Sequence, residues 1–75
     1  MKLSNLRINK KARVISIDIL NSLVKRHLLE MGLTRGTLIK VTKIAPMGDP
    51  ISIELRGYEL AIRKEEAKFI EVEVL

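Results

Sequence analysis

The sequence predicts a mainly β fold, a small barrel of about five strands with one α-helix inserted after the first strand. Three observations predict it. Segments rich in β-branched or alternating apolar residues recur along the chain, one segment has helical spacing, and glycines or prolines separate most of them. Five strands in 75 residues close most easily as a barrel, which removes exposed sheet edges. An open α+β sheet is the alternative.

The strand predictions rest on β-branched content and on alternation with period two. The predicted strands are residues 12–17, 37–44, 51–56, 59–63 and 70–74. Gly57 and Tyr58 are predicted to form the tight reversal between the third and fourth strands. Residues 45–50, with two prolines and a glycine, are predicted as a loop, and residues 64–68 as about one helical turn.

One helix is predicted between the first two strands, because its apolar residues recur at steps of three, one and three. They form a single stripe of Leu20, Leu23, Val24, His27, Leu28 and Met31. Asp18 or Asn21 can cap its start, and Gly32 can end it with Leu33 folding back onto the last turn. The stripe predicts that Leu23 is core, with a cost of about 2–5 kcal/mol for Leu23→Ala, and that His27 is partly buried.

Composition favours a single cytoplasmic domain, residues 1–75, that has no transmembrane segment. Hydrophobic residues make up 47% of the chain, there is no cysteine, and no stretch approaches the roughly 20 apolar residues of a membrane-spanning helix. Charge is uneven. Residues 1–43 hold ten Lys or Arg against two acids, and residues 44–75 hold four against seven. The basic half could face an acidic partner, an anionic leaflet or nucleic acid, or could be only a solvated face.

The residues argue against catalysis, a cofactor and a tight metal site. The single histidine and the lack of cysteine leave too few nitrogen or sulfur ligands for a transition metal. The serines lack a base and an orienting group. Nucleic-acid binding is the rival function, but Tyr58 and Phe69 are the only aromatic residues, too few for a base-stacking platform.

Three segments in order resemble the FeoA family. They are residues 27–41 (HLLEMGLTRGTLIKV), 45–53 (APMGDPISI) and 57–67 (GYELAIRKEEA). The resemblance implies an SH3-like barrel and a small cytosolic accessory protein of bacterial ferrous iron uptake. It also implies docking onto the cytosolic, GTPase-bearing part of the membrane transporter FeoB, and thus recruitment to the inner face of the membrane.

The same module resembles the C-terminal barrel of iron- and manganese-dependent repressors, so a stand-alone relative of that barrel is the second alternative. The chain departs from the FeoA pattern at two positions. Asn9 occupies a turn position where the FeoA family often has Gly, and His27 occupies a position where Arg is frequent.

A partner-binding surface is predicted on the helix. Leu29 points about 180° from the centre of the apolar stripe, where a lone apolar anchor beside cations suits docking. The predicted contacts are Lys25, Arg26, Leu29, Leu33 and Met47, and such a surface would also permit weak self-association. A second set is predicted to shape turns only: Gly32, Gly36, Pro46, Gly48, Asp49, Pro50 and Gly57.

Overall fold

The computed structural model describes all 75 residues as one antiparallel five-stranded sheet with one main helix, and the mainly β prediction is confirmed. In chain order the elements are β1 Lys11–Ile17, α1 Ser22–Glu30, β2 Leu38–Ile44, β3 Ile51–Leu55, β4 Tyr58–Ile62, the short α2 Lys64–Ala67, and β5 Ile70–Val74. The strand order across the sheet is β4-β3-β2-β1-β5. One 3-10 turn, Leu3–Asn5, was not predicted, and its Leu3 is fully buried.

Two bulges bend the sheet. Pairing slips by one residue in β1 between Val14 and Ser16 and in β2 between Val41 and Lys43. A bulge increases the local twist and changes which side chains face inward. As a result Val14 and Ile17 both face the core although three positions separate them, and Ile15 is left partly exposed.

The core is built almost wholly from aliphatic side chains. It contains 18 buried hydrophobic residues, drawn from all five strands and from the connections between them. Neither aromatic residue is among them: Tyr58 is only partly buried and Phe69 is exposed. Each strand therefore contributes its inward side chains to one small volume, and little of that volume remains for a helix.

The β3–β4 hairpin turns one residue earlier than predicted. Leu55 pairs with Tyr58, so the two turn residues are Arg56 and Gly57, and both have positive φ, 49° and 86°. A two-residue hairpin that needs positive φ at both positions normally places Asn or Asp before the Gly. Arg56 occupies an unfavourable backbone conformation, and its side-chain contacts, described below, account for its presence there.

The loop between β2 and β3 supports the start of α2. The Asp49 carboxylate was expected to bond within its own turn, but it accepts the backbone N–H of Lys64 at 2.9 Å. This N–H is one of the donors that a helix start leaves unpaired. The loop is closed by two backbone bonds, from Gly48 N–H to the Ala45 carbonyl at 2.7 Å and from Ala45 N–H to the Pro50 carbonyl at 3.1 Å.

Helix α1 packs through a narrower stripe than the sequence predicts. Only Leu28 is buried, and Val24 and Met31, at i−4 and i+3 from it, are partly buried against the core. Leu23 is 74% exposed and His27 is exposed as well, so their predicted burial is wrong. Leu20 precedes the helix and is 94% exposed. The cause is the small core, which accommodates one helical row and leaves the neighbouring apolar row in solvent.

The contrast between Leu28 and Leu23 gives a direct stability test. Leu28→Ala should lower the free energy of unfolding by about 2–5 kcal/mol, because it removes the one fully packed side chain of the helix. Leu23→Ala is the matched control and should change it by less than about 0.5 kcal/mol. Urea unfolding of both variants measures the difference, and equal losses would contradict this placement of α1.

Candidate interaction surface

The start of α1 is capped by the side chain that precedes it. The Asn21 carboxamide oxygen accepts the backbone N–H groups of Leu23 at 3.0 Å and Val24 at 3.3 Å. The sequence left the choice between Asp18 and Asn21 open, and the structure selects Asn21. A cap of this kind contributes roughly 1 kcal/mol to helix stability. It matters here because so little of the helix is held by packing.

The end of α1 is closed by Gly32 and Leu33. Gly32 has a φ of +93°, and the N–H groups of Gly32 and Leu33 reach back to the carbonyls of Leu29 and Leu28, both at 3.0 Å. This pattern satisfies two carbonyls that a helix end leaves unpaired. Leu33 folds back as expected, but it is fully buried in the core. Its predicted role as a partner contact is therefore wrong, because no surface of its side chain is available.

Arg56 ties the end of α1 to the β3–β4 turn. Its Nε donates to the Gly32 carbonyl at 3.1 Å, and one terminal nitrogen lies 3.4 Å from the hydroxyls of both Thr34 and Thr37. A cation at the C-terminal end of a helix also interacts favourably with the helix dipole. No sequence pattern marks Arg56 as a functional or structural residue. Twenty-four positions separate Arg56 from Gly32, and no local pattern connects them.

The exposed side of α1 carries an apolar ridge interrupted by one cation. Leu23, Arg26 and Leu29 follow one another at intervals of three, so they lie on one oblique row that turns by about 120° around the helix axis from Leu23 to Leu29. Leu23 is 74% and Leu29 41% exposed, and Lys25, which neighbours Leu29 at a spacing of four, is exposed too. Neither Lys25 nor Arg26 forms an ion pair or a side-chain hydrogen bond. We call Leu23, Arg26 and Leu29 the helix ridge.

An apolar depression of about 260 Å³ adjoins the start of the same helix. Its lining is mostly apolar with an acidic edge, and comprises Ile19, Leu20, Asn21, Val24, Glu65, Glu66 and Phe69. The apolar stripe predicts a core position for Leu20, and no sequence pattern predicts a role for Phe69. The exposure of Leu20 indicates this surface, but that exposure could be predicted only if the orientation of α1 on the sheet were known. The depression lies at the start of α1, and the helix ridge begins at Leu23, the residue before Val24 of the lining.

The remaining residues considered from the sequence, Met47 and His27, do not join the helix ridge or form a metal site. Met47 is exposed at the tip of the 45–50 loop, and the structure places it on no element shared with the helix ridge. His27 makes no side-chain hydrogen bond. No three residues among His, Cys, Asp and Glu lie close enough together to hold a metal ion. None of the helices has the length and hydropathy that crossing a bilayer requires.

A family model for the FeoA domain matches residues 1–74. The chain belongs to the FeoA family. Over all 75 residues it is 32% identical to a curated relative, a fusion of Fe(2+) transport protein A with the Fe(2+) transporter FeoB from Porphyromonas gingivalis. The chain spans about 9% of the length of that relative, which also contains the FeoB transporter.

Solved structures of FeoA proteins share this fold. FeoA of Chlorobium tepidum is 41% identical with a TM-score of 0.93, over 100% of this chain and 70% of that one. FeoA of Stenotrophomonas maltophilia, solved with zinc and described as a prokaryotic SH3 domain protein, is 30% identical with a TM-score of 0.84, over 97% and 89%. The SH3-like prediction is thereby confirmed. A manganese-dependent transcriptional repressor has a TM-score of 0.91 at 18% identity, over 100% of this chain and 36% of that one, a likeness of fold alone.

The Arg56 contacts lead to a second stability prediction. Arg56→Ala should lower the free energy of unfolding by about 1–3 kcal/mol, since it removes hydrogen bonds made by a charged donor. Arg35→Ala, at an exposed arginine with no side-chain hydrogen bond, is the control and should cost less than about 0.5 kcal/mol. Amide exchange should also accelerate at residues 29–33 in Arg56→Ala. Unchanged exchange there would show that Arg56 does not hold the end of the helix.

Proposed function

We propose that this chain is an accessory module of ferrous iron uptake that docks onto the cytosolic part of a FeoB-type membrane transporter. Membership of the FeoA family supports the iron-uptake role. The relative that joins FeoA and FeoB in one chain supports the partner, because a tether keeps two modules at high effective concentration and favours pairs that work together.

The observation that carries the docking proposal is the helix ridge. Docking would bury Leu23 and Leu29 against the partner, and each buried leucine contributes about 1.5–3 kcal/mol. The flanking Lys25 and Arg26 would raise the association rate towards an acidic partner surface and orient it. Leu20 and the apolar depression extend the same surface beyond the start of the helix. The partner-binding roles predicted for Lys25, Arg26 and Leu29 are kept, and Leu23 is added to them.

Docking would act without covalent chemistry. A module that binds one conformation or nucleotide state of the transporter better than another shifts its equilibrium by that difference in affinity. The single histidine, His27, makes no hydrogen bond to a serine or threonine hydroxyl, and no three potential metal ligands lie together. This chain would therefore change the transporter rather than handle the iron itself.

Nucleic-acid binding and repressor activity receive less support. Tyr58 is partly buried, so Phe69 is the only aromatic ring that could stack on a base, and one ring makes a poor platform. The likeness to the manganese-dependent repressor is one of fold alone, so it assigns no role to any residue of this chain.

Substitutions on the helix ridge test the docking proposal. Leu23→Glu and Leu29→Glu should each weaken binding to the purified cytosolic domain of a FeoB-type transporter about tenfold or more, because docking would bury an unpaired carboxylate. Isothermal titration calorimetry measures the dissociation constants. The matched control is Ile8→Glu, at a residue 46% exposed outside α1, which should bind like the parent.

Thermal unfolding of all three variants first establishes that they fold. The helix ridge is excluded as the contact if its variants bind like the parent. If the parent itself does not bind the domain, the choice of partner is wrong.

A further inference from the structure

A second surface lies on the outer face of β1, β2 and β3, away from the residues of the helix ridge. A groove of about 320 Å³ runs there, and a smaller depression of about 300 Å³ adjoins it and shares Leu38 and Arg56 with it. Cations and two exposed leucines, Leu38 and Leu75, line much of the joint surface. We call Lys11, Arg13, Leu38, Lys40 and Arg56 the basic groove.

The strand register brings these cations together. Lys11 pairs with Lys40 across β1 and β2, and Arg13 pairs with Leu38 on the same two strands. Ala12 lies between the two rungs and is buried, so all four side chains point to the outer face. The rungs are two residues apart, a distance of roughly 7 Å along each strand.

The cations of the basic groove are not neutralised within the chain. The structure has three ion pairs within 4.0 Å, and they join Glu71 to the N-terminus and to Lys2, and Glu59 to Lys43. None involves the groove. Glu54 lines the groove opposite Lys40, and Glu73 pairs with Arg13 in the β1–β5 register. Neither carboxylate lies within 4.0 Å of a groove cation, so none of the four cations is paired within the chain.

The two arginines are already held in place. Arg13 donates to the Gly36 carbonyl at 3.2 Å, and Arg56 donates to the Gly32 carbonyl at 3.1 Å. A guanidinium has five N–H donors, so each arginine keeps several for a ligand. Side chains fixed before binding lose less conformational entropy when a ligand arrives.

Leu38 provides an apolar contact among the cations. It is 52% exposed on β2 beside Arg13, and the buried Leu55 forms part of the groove wall. An apolar centre with a polar rim is the usual organisation of a protein–protein contact.

We propose that the basic groove binds an acidic peptide segment in extended conformation, with carboxylates two residues apart and an aliphatic side chain against Leu38. An extended peptide repeats the side chains of one face every two residues, roughly 7 Å, which matches the two rungs. Nucleic acid fits less well. No aromatic residue lines the groove, so it offers no ring on which a base could stack.

A fluorescence anisotropy titration with a labelled peptide of sequence GEELEELEEG tests the groove without any transporter. The parent protein should bind this probe saturably, and binding should weaken as salt rises. Lys11→Gln with Lys40→Gln should weaken it about tenfold, because two charge contacts are lost. Lys25→Gln with Arg26→Gln removes the same charge from α1 and should leave the affinity within about twofold of the parent.

Three results would overturn the proposal. Equal weakening by the two double variants would show a general charge effect. Equal binding of the peptide with every Glu replaced by Gln would show that carboxylates are not recognised. Tighter binding of a labelled 12-nucleotide single-stranded RNA than of the peptide would assign the groove to nucleic acid. The probe involves no residue of the helix ridge, so these results are independent of docking to the transporter.

Discussion

The structure depends on how little core volume 75 residues can enclose. Eighteen aliphatic and alanine side chains, with no buried aromatic ring, fill the space inside the sheet. A chain of this size buries only about 60% of its unfolded surface. The five strands take most of that space, and α1 contributes only Leu28 fully. The exposed leucines around α1 are a consequence of this limit.

Helix α1 is consequently held at its ends more than along its length. Asn21 caps its start, Gly32 and Leu33 close its end, and Arg56 ties that end to the β3–β4 turn. A helix fixed in this way can present most of its circumference to a partner without losing its position. The same Arg56 reaches the basic groove, so one side chain borders both the helix end and the second surface.

The element types were readily predicted, and the direction of α1 was not. Strict alternation in residues 51–55 and β-branched residues in 11–17 mark strands in any context. The helical segment was equally clear, but its apolar residues form two adjacent rows. Leu23 and His27 belong to one row, and Val24 and Leu28 to the other. Periodicity cannot decide between rows about 100° apart, because the choice depends on what the rest of the core leaves free.

Local periodicity predicts the strands and the one helix, Gly32 predicts where the helix ends, and composition predicts the shortage of nitrogen and sulfur ligands. The start of the helix stayed open between Asp18 and Asn21 in the sequence, and the fold selects Asn21. The packed fold was needed to show that Leu33 is buried while Leu23 is exposed, and that Lys11 lies beside Lys40. Burial and cross-strand register arise from contacts between residues distant in the chain, and no local pattern encodes those contacts.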